Sequence, residues 1–262
     1  MRGVWLAAGA VATVIALVIS TLVLWRGVAR ARMPEENTQR SIPFAQKNVR
    51  IKTGMGAQVD LSVLPGRAGE LVVMKSLVWS RERPAVTDDW DALSSTLRLD
   101  AVCPGVDEPE GRDVPLCQAD FTVFVPPETD IEAATTSGDL VVNDVFGKLR
   151  VSSISGEVHV DNISGAIWAR AGTGVIEARG LDVDRADAEI GSGKVSLSFM
   201  SAPTEVKAVV RTKGDINLNV PKAAYHVTVD ATESDIDVEQ NPQASRNIVA
   251  RAPRGTVSVC CD

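Results

Sequence analysis

The segment Thr136-Ser137-Gly138-Asp139-Leu140-Val141-Val142 recurs in degenerate form along the second half of this chain. Its clearest copies are Ile154-Ser155-Gly156-Glu157-Val158 and Lys213-Gly214-Asp215-Ile216. In each copy a small pivot residue is followed by one polar residue and then by an aliphatic one. The pivots are Gly138, Gly156, Gly174, Gly193, Gly214, Ser234 and Gly255, at successive spacings of 18, 18, 19, 21, 20 and 21 residues. This period predicts stacked structural units, each too small to bury an apolar face alone.

Apolar side chains stand two and four residues after every pivot. Because neighbouring side chains of a strand point to opposite faces, these positions predict one inward pair per repeat. The first members are Leu140, Val158, Ile176, Val195, Ile216, Ile236 and Val257. The second members are Val142, Val160, Ala178, Leu197, Leu218, Val238 and Val259. A glycine at the pivot permits the turn that precedes each strand.

A second strand is predicted in each repeat, between one pivot and the next. Alternating apolar residues mark it, as in Leu149/Val151 and Val206/Ala208. The fold predicted for residues 131–262 is therefore all-β, a β-solenoid with turns of 18–21 residues. A β-sandwich of hairpins is the alternative, but hairpins do not require the same glycine every ~19 residues.

A strand-rich section, residues 47–130, precedes the repeats. Apolar and polar residues alternate over 59–63 and again over 121–125, which predicts half-buried strands. Cys103 and Cys117 bracket a stretch rich in proline, glycine and acidic residues, and a disulfide between them would close this loop. Closure would stabilise the fold by roughly 3 kcal/mol on the chain-entropy model. Two free thiols in a cytosolic loop are the alternative.

The first 32 residues predict a short cytoplasmic tip, one transmembrane helix and a basic flank. No charge occurs from Val4 to Trp25, and a helix of this length spans ~33 Å, enough for the hydrocarbon core of a bilayer. Trp5 and Trp25 lie at its ends, where indole rings prefer the headgroup layer. Residues 4–25 are therefore expected to contact the lipid bilayer. Residues 33–46 lack periodicity and are interpreted as a linker.

Two features disagree about the side of the membrane on which the β domain lies. The arginines at 26, 30 and 32 make the C-terminal flank of the helix the more basic one, which favours a cytoplasmic domain. A disulfide between Cys103 and Cys117 favours an oxidising, extracytoplasmic compartment. We expect a single-pass cell-membrane protein with its C-terminal domain extracytoplasmic. A signal peptide cleaved near Ala29-Arg30-Ala31 is a third possibility.

No catalytic, cofactor-binding or metal-binding residue is predicted. The formal net charge is -7 and no predicted element has a cluster of Lys and Arg, which argues against a nucleic-acid partner. His159 is expected to point outward, with no nucleophile placed for a triad. The glycine pairs in 172–174 and 191–193 lack a following helix and are interpreted as turns, not phosphate loops.

Acidic residues are interpreted as solvated charges. Those that follow the pivots lack the regular motif of a calcium ladder and are expected to discourage edge-to-edge strand pairing. A dense charged stretch is predicted to be a protruding loop, in which a catalytic carboxylate pair is an alternative. Its members are Asp182, Asp184, Arg185, Asp187 and Glu189. Cys260 and Cys261 could cap the last turn, pair with another chain or stay reduced.

The chain resembles the bacterial adhesin-like β-strand-repeat family of unknown function, in particular its actinobacterial membrane-anchored members. The resemblance covers residues 45–259 and rests on the repeats above and on the strand 119–126 that ends in proline before them. A cysteine pair ahead of that strand and an N-terminal anchor helix are further points of likeness. The resemblance implies a β-solenoid in the cell envelope and implies no catalytic residues.

Four functions are consistent with these features. The first is a non-enzymatic, extracytoplasmic adhesin-like scaffold or binding module, with a glycan or protein ligand on the solenoid face. The second is a membrane-tethered accessory or sensor for a transporter or regulator. The third is a cytoplasmic, membrane-bound solenoid that polymerises end to end. The fourth is a carbohydrate-active β-helix enzyme, which a charged row across successive turns would favour.

Overall fold

The computed structural model describes residues 17–21, 33–54, 59–104 and 116–261 of the chain. Within these ranges the protein is built of seventeen strands, so the all-β prediction is confirmed. Most of the predicted transmembrane segment, residues 4–25, lies outside the described residues. No helix among the described residues is long and apolar enough to cross a membrane.

The strands follow one another with short connections. Those of the first half are β1 (Glu35–Pro43), β2 (Asn48–Thr53), β3 (Val59–Pro65), β4 (Glu70–Trp79), β5 (Ala85–Asp91), β6 (Thr96–Val102), β7 (Cys117–Val125), β8 (Asp130–Ser137) and β9 (Leu140–Val145). Those of the second half are β10 (Leu149–Ile163), β11 (Ile167–Leu181), β12 (Arg185–Phe199), β13 (Glu205–Val210), β14 (Gly214–Val220), β15 (Ala224–Ile236), β16 (Glu239–Gln240) and β17 (Asn247–Cys261).

Parallel turns stack in the centre of the molecule, as the repeat predicts. Strands β10, β11 and β12 each form one turn, and the pivot glycine divides each strand into two halves. Gly156 pairs with Gly174, and Gly174 pairs with Gly193, so the turns are in register along the stack. We call the strand segments before the pivots row A and those after the pivots row B, and we call one turn a tier.

The stacking order at the N-terminal end departs from the order of the sequence. The tier β2/β3 pairs in parallel with β8/β9 on one side and with β6/β7 on the other. Strands β4 and β1 then extend row B in antiparallel fashion, and β5 extends row A. The strand-rich section is therefore part of the same stack and covers one end of its core.

The C-terminal end also departs from the order of the sequence. Strand β17 inserts between β13/β14 and β15, and it pairs in parallel with all three. The stack thus has nine parallel tiers, about 38 Å between the outermost ones at the ordinary strand spacing. Ser234 pairs with Val257, two residues beyond the predicted partner Gly255. The pivot assigned to Ser234 is therefore wrong, because β17 has two extra residues between Ala252 and Thr256, opposite the step from Ala231 to Glu233.

The core is an aliphatic column between the two rows. All predicted inward residues are buried except Ile236 and Val238, which are only partly buried in the terminal tier. Tyr225 closes this end: its side chain is fully buried and its hydroxyl donates to the Pro221 carbonyl oxygen at 2.8 Å. Burial of a tyrosine ring requires such a partner for the hydroxyl.

The pivot glycines form a second column, at the corner between the rows. A Cβ on Gly174 would overlap the carbonyl oxygen of Gly156, and the same relation holds from each pivot to the next up to Gly255 on Gly214. Gly174 also has a φ of 121°, a conformation that L side chains rarely adopt. The glycine is thus required by close stacking of backbones as well as by the turn.

Residues 33–46, interpreted as a linker, contain β1, so that interpretation is wrong for Glu35–Pro43. The strand pairs with β4 along its whole length, yet only Ile42 of the nine side chains is buried. A strand that is held by backbone hydrogen bonds and has no apolar face shows no alternation of apolar and polar residues in its sequence. The β domain therefore begins at Glu35, ten residues after Trp25 in the sequence.

Candidate functional site: an open groove on row A

An open groove of about 710 Å³ lies on the outer side of row A, near the pivot corner. It runs across the tiers from Lys52 on β2 to Arg211 beside β13, five tier spacings, or roughly 24 Å. Small outward residues from successive strands leave this space open: Ala134, Ser152, Gly172 and Gly191. Residues from six different strands or their ends therefore form one continuous surface.

Arg170 is the most heavily contacted side chain of the groove wall. Its guanidinium donates to the backbone carbonyl oxygens of Ala169 and Asp187 at 2.9 and 3.0 Å and to Asp187 Oδ2 at 2.9 Å. Its Nε lies 3.4 Å from Glu189 Oε2. Because nearly every donor is occupied, Arg170 holds a fixed position and shapes the wall.

Trp168 is the aromatic residue of the groove, and two guanidinium groups lie over its ring. The Arg170 and Arg150 carbons are 4.2 and 4.7 Å from the ring centroid. Cation–π contacts of this kind are each worth about 0.5–1 kcal/mol at partly exposed sites. Trp168 also lines a second hollow of about 280 Å³. The ring therefore borders two depressions of row A.

Two buried hydroxyls near the pivot corner have no partner. The side chains of Thr135 and Ser153 stand side by side in register, and the residues are 4% and 5% exposed. Neither hydroxyl oxygen has a hydrogen-bond partner among the described residues. Buried hydroxyls are normally paired, because leaving one unpaired costs about 1–3 kcal/mol. Both lie at inward positions, in register with the buried Ala171 and Ile190 of the next tiers, so they face the core and not the groove.

The two rows differ strongly in charge. Over the tiers from β2/β3 to β13/β14, row A has more basic than acidic side chains and row B is markedly acidic. Row A has Arg50, Lys52, Lys148, Arg150, Arg170, Arg185, Lys207 and Arg211 against Asp130, Glu132, Asp187, Glu189 and Glu205. Row B has Arg179 and Lys194 against Asp60, Asp139, Asp144, Glu157, Asp161, Glu177 and Asp215. The acidic chain therefore has one face on which cations predominate.

The carboxylates that follow the pivots have a structural role. Asp60 Oδ1 accepts the backbone N–H of Asp139 at 2.9 Å, and Asp139 Oδ1 accepts that of Glu157 at 3.0 Å. Asp215 does the same for Thr256. Each carboxylate satisfies an N–H of the neighbouring tier at the corner, where ladder pairing is interrupted. Within the described residues no group of three or more His, Cys, Asp or Glu could hold a metal ion.

Asp120 continues this acidic column beyond Asp60. Burial raises the pKa of the Asp120 carboxyl, the hydrogen bonds from the Gln118 amide oppose the rise, and the nearby Asp60 charge adds to it. The groups that act on the Asp120 carboxyl are thus the Asp60 carboxylate and the Gln118 amide, and neither is a cation. The column stabilises corners and offers no arrangement for a reaction.

His159 is half-buried on the outer side of row B. It lies between two carboxylates, with Nε2 2.8 Å from Glu157 and Nδ1 3.3 Å from Glu177. Both carboxylates come from regular positions, one two residues earlier and one directly opposite on the next strand. No serine or cysteine takes part in this contact, so it is a polar contact between an imidazole and two carboxylates.

The charged stretch 182–189 is not a protruding loop from Arg185 onward, because β12 begins there. Asp187 and Glu189 point outward from β12 and hold Arg170 and Arg211. Every second residue of this strand is buried, but the inward residues are small alanines, Ala186 and Ala188. Their small size concealed the strand in the sequence.

The glycine pairs in 172–174 and 191–193 lie within β11 and β12, not in turns outside strands. Gly174 and Gly193 are pivots at the corner, whereas Gly172 and Gly191 line the groove. A Cβ on Gly191 would overlap the carbonyl oxygen of Gly172, so the strands approach closely here. The glycines at 172 and 191 were therefore visible in the sequence, but they were interpreted as turn residues and not as part of a groove.

Cys103 and Cys117 form a disulfide, with their Cα atoms 6.0 Å apart. The bond joins the end of β6 to the start of β7, at the corner where the later tiers have a pivot glycine. It thus fixes row A to row B in this tier. Cys260 and Cys261 lie at the end of β17 and take no part in this disulfide; the first is exposed and the second is half-buried.

We expect Ser153→Ala to raise the free energy of unfolding by about 1 kcal/mol, because it removes an unpaired buried hydroxyl. Thr135→Val, which keeps the side-chain volume, should act in the same direction. Urea denaturation followed by circular dichroism measures both changes. A loss of stability in both variants would show that the hydroxyls have protein partners.

The comparisons with known proteins agree with this architecture. Residues 119–259 match the family model described as Toastrack DUF4097. No curated protein matches the chain. Among solved structures, a candidate cell adhesion protein from Clostridium sporogenes has 14% identity and a TM-score of 0.40, over 88% of this chain and 100% of that one.

Two further solved structures are similar at the same level. A candidate lipid-binding protein from Parabacteroides distasonis has 11% identity and a TM-score of 0.44, over 85% of this chain and 96% of that one. A candidate adhesin from Bacteroides fragilis has 12% identity and a TM-score of 0.42, over 86% and 97% of the two chains.

Proposed function

Because the chain belongs to the Toastrack DUF4097 family, an adhesin-like family of unknown function, we propose that it is a non-enzymatic binding module of the cell envelope. Its N-terminal helix anchors it in the cell membrane, and its β domain lies outside the cytoplasm. Its ligand occupies the groove on row A. The observation that most supports the proposal is the groove itself, about 710 Å³, which residues of six different strands or their ends form on row A.

The disulfide supports the extracytoplasmic location. Such bonds persist in oxidising compartments and are rare where thiol reductants are abundant. The basic flank after Trp25 favours the opposite orientation, but the positive-inside bias is a statistical preference, and large domains translocate largely regardless of charge. We therefore give the disulfide between Cys103 and Cys117 the greater weight.

The location is tested by protease treatment of intact bacterial cells that express the full chain with a C-terminal tag. We expect the protease to remove the tag from intact cells, because the β domain is accessible from outside. Lysed cells serve as the control for cleavage of the tag itself. Protection of the tag until lysis would place the domain in the cytoplasm and favour a polymerising solenoid.

The binding role is tested by filling the groove. Ser152 points into the groove from β10, and Ser152→Trp adds a large ring there. Ser196→Trp is the matched control, because Ser196 has a similar half-exposed outward position on row B. We expect the full chain in detergent micelles to sediment with isolated envelope fragments, and Ser152→Trp to weaken this binding at least about tenfold.

The two variants should also have similar stability, since both add a tryptophan to an outward strand position. If Ser152→Trp binds envelope fragments as well as Ser196→Trp does, the groove is not the ligand site. If the unchanged chain does not bind envelope material, the protein is not a binding module of this kind.

A carbohydrate-active enzyme is the second candidate, because the carboxylates of Asp187 and Glu189 lie on the same strand, β12, and Glu189 lines the groove. Glycoside hydrolysis requires one protonated and one free carboxylate beside the bond that breaks. Here Asp187 contacts Arg170 and Lys207, and Glu189 contacts Arg170 and Arg211. These ion pairs suit a structural wall better than an acid–base pair. Release of reducing ends from envelope polysaccharide, abolished in Glu189→Gln, would establish the enzyme instead.

A further inference from the structure

We infer that β1 is a releasable strand, which opens from β4 while the rest of the stack stays folded. Its release lengthens the connection between the predicted membrane segment and the β domain. This lengthening rests on the membrane anchor of the proposed function, whereas the opening of β1 does not. The position of β1 at an edge, its polar inward side and the fixed residues that follow it support the inference.

Strand β1 is an edge strand of row B. All its residues, Glu35–Pro43, pair with β4, and among the described residues β1 pairs with no other strand. The backbone hydrogen bonds of an edge strand contribute little net stability, because water replaces them when the strand leaves. Ordering each residue of the strand also costs conformational entropy. The burial of apolar side chains therefore decides how firmly β1 is held.

The inward side of β1 is mostly polar. Ile42 lies opposite the buried Leu71, so residues 36, 38 and 40 share its inward side. These residues are Glu36, Thr38 and Arg40, and none of them is buried. In β7, on the other side of β4, the inward residues are apolar and buried: Ala119, Phe121, Val123 and Val125. Strand β1 thus lacks the apolar burial that fixes β7 in the stack.

Two charged contacts hold this polar side in place. Arg40 Nη1 donates to Asp88 on β5, to the carboxylate Oδ1 at 2.9 Å and to the backbone carbonyl oxygen at 2.7 Å. Arg83, between β4 and β5, donates from Nε and Nη2 to the two carboxylate oxygens of Glu36, both at 2.7 Å. Exposed ion pairs contribute little stability, and salt screens them. These contacts can therefore break without any change in the core.

The release ends at Ile42. Ile42 and Phe44 are buried, with exposed fractions of 4% and 3%. The Phe44 ring meets the Trp90 ring edge-on, with centroids 6.0 Å apart, and the Phe44 N–H donates to the Gly69 carbonyl oxygen at 2.9 Å. The chain is thus fixed from Ile42 onward, and residues 35–41 form the part that leaves.

Strand β4 stays in the stack when β1 leaves. It pairs with β7 along most of its length, and its apolar inward residues Leu71, Val73 and Leu77 are buried. Lys75 of β4 also donates to Asp88 Oδ2 of β5 at 2.7 Å, so β4 and β5 remain joined across the end of the core. Opening of β1 is therefore a local event, distinct from unfolding of the stack.

The release changes the reach of the β domain. While β1 is paired, the first fixed residue is Glu35, ten residues after Trp25, and a chain of this length spans at most about 35 Å. After the release the first fixed residue is Ile42, seventeen residues after Trp25, and the span rises to at most about 60 Å. Tension between the anchor and a bound ligand favours the longer state. The binding face thus moves away from the membrane while the stack stays folded.

Hydrogen–deuterium exchange of the full chain in detergent micelles tests the opening. Mass spectrometry compares the slowest amides in peptides from β1, β4 and β7. We expect those of β1 to exchange at least about a hundredfold faster than those of β4 and β7, because β1 opens without the stack. Low concentrations of urea should leave the exchange of β1 unchanged, since local opening exposes little surface. Equal rates in β1 and β7 would overturn the inference.

Variants of β1 test the cause of the opening. Arg40→Ala removes the contacts with Asp88 and should speed the exchange of β1 about threefold. Asn37→Ala is the matched control, because Asn37 is exposed on the outward side, and it should leave the exchange within about 1.5-fold. Thr38→Ile adds an apolar inward side chain and should slow the exchange about threefold. Equal effects of Arg40→Ala and Asn37→Ala, or unchanged exchange in Thr38→Ile, would overturn the role of the inward side.

The outcomes are separate from those of the proposed function. The exchange measurement requires neither a ligand nor a membrane, so slow exchange of β1 would overturn the releasable strand and leave the binding module intact. Failure of the chain to bind envelope fragments would overturn the binding module and leave the opening of β1 intact. Fast exchange of β1 and β4 together would also overturn the inference, because the unit that opens would then include part of the stack.

Discussion

Gly174→Ala is expected to lower the free energy of unfolding by about 3–5 kcal/mol. The added Cβ would overlap the carbonyl oxygen of Gly156 in the tier below. It would also impose a φ of 121° on a residue with a side chain. Because Gly174 lies in the middle of the glycine column, neither neighbouring tier can move aside without disturbing the next one.

Gly69→Ala separates the two causes. Gly69 also has a positive φ, 88°, but an added Cβ would meet no heavy atom within 4 Å. This variant should therefore lose only the backbone contribution, about 1–2 kcal/mol. Urea denaturation of both variants measures the difference. Equal losses would mean that backbone conformation, and not the contact between tiers, is what requires glycine at the pivots.

Removal of the disulfide is expected to lower the free energy of unfolding by about 3 kcal/mol. The bond closes a loop with a sequence separation of 14 between Cys103 and Cys117. It also joins the two rows in the tier β6/β7, next to the buried Ile51 and Leu61 of β2/β3. The double variant Cys103→Ser, Cys117→Ser should therefore unfold at lower urea concentration than the unchanged chain.

Reductant provides the internal control for this experiment. Dithiothreitol should lower the stability of the unchanged chain to that of the double variant and should have no effect on the variant itself. Cys260→Ser with Cys261→Ser should keep the full stability in the absence of reductant, because these residues take no part in the disulfide. A chain that is equally stable with and without dithiothreitol contradicts the assigned bond or its loop-closure contribution.

The repeat was readable because its physical cause is local. Stacking of identical corners requires a glycine at each pivot, and burial of the following strand requires aliphatic residues two and four positions later. Leu140, Val158 and Ile176 are all fully buried, as the pattern predicts. The prediction for the terminal repeat was wrong because an irregularity opposite Ala231 shifts the pairing by two residues. A shift of two residues keeps the same side chains inward. Periodicity alone cannot detect such a shift.

The groove was not predicted because it is assembled across strands. No single element has a basic cluster, since β2 provides Arg50 and Lys52 while the row A halves of β10 and β11 provide one arginine each. Register places these residues in adjacent tiers, and the register is a property of the whole stack. The hydroxyls of Thr135 and Ser153 were visible at inward positions, where polar residues deserve an explanation, but only burial showed that they lack partners.

The sequence by itself determined the all-β class, the period of the turns, the inward residues of the central tiers and the cysteine pair, because each depends on contacts between residues at fixed short spacings. Tertiary structure decided the order of the tiers at both ends, where β6/β7 and β17 insert out of sequence order. It also decided the opposite charge of the two rows and the position of the groove. The order of the tiers, the charge of the rows and the groove all depend on which distant strands lie side by side. Backbone hydrogen bonds between strands are the same for any sequence, so they do not select the neighbours. Only packing of the complete core selects one arrangement.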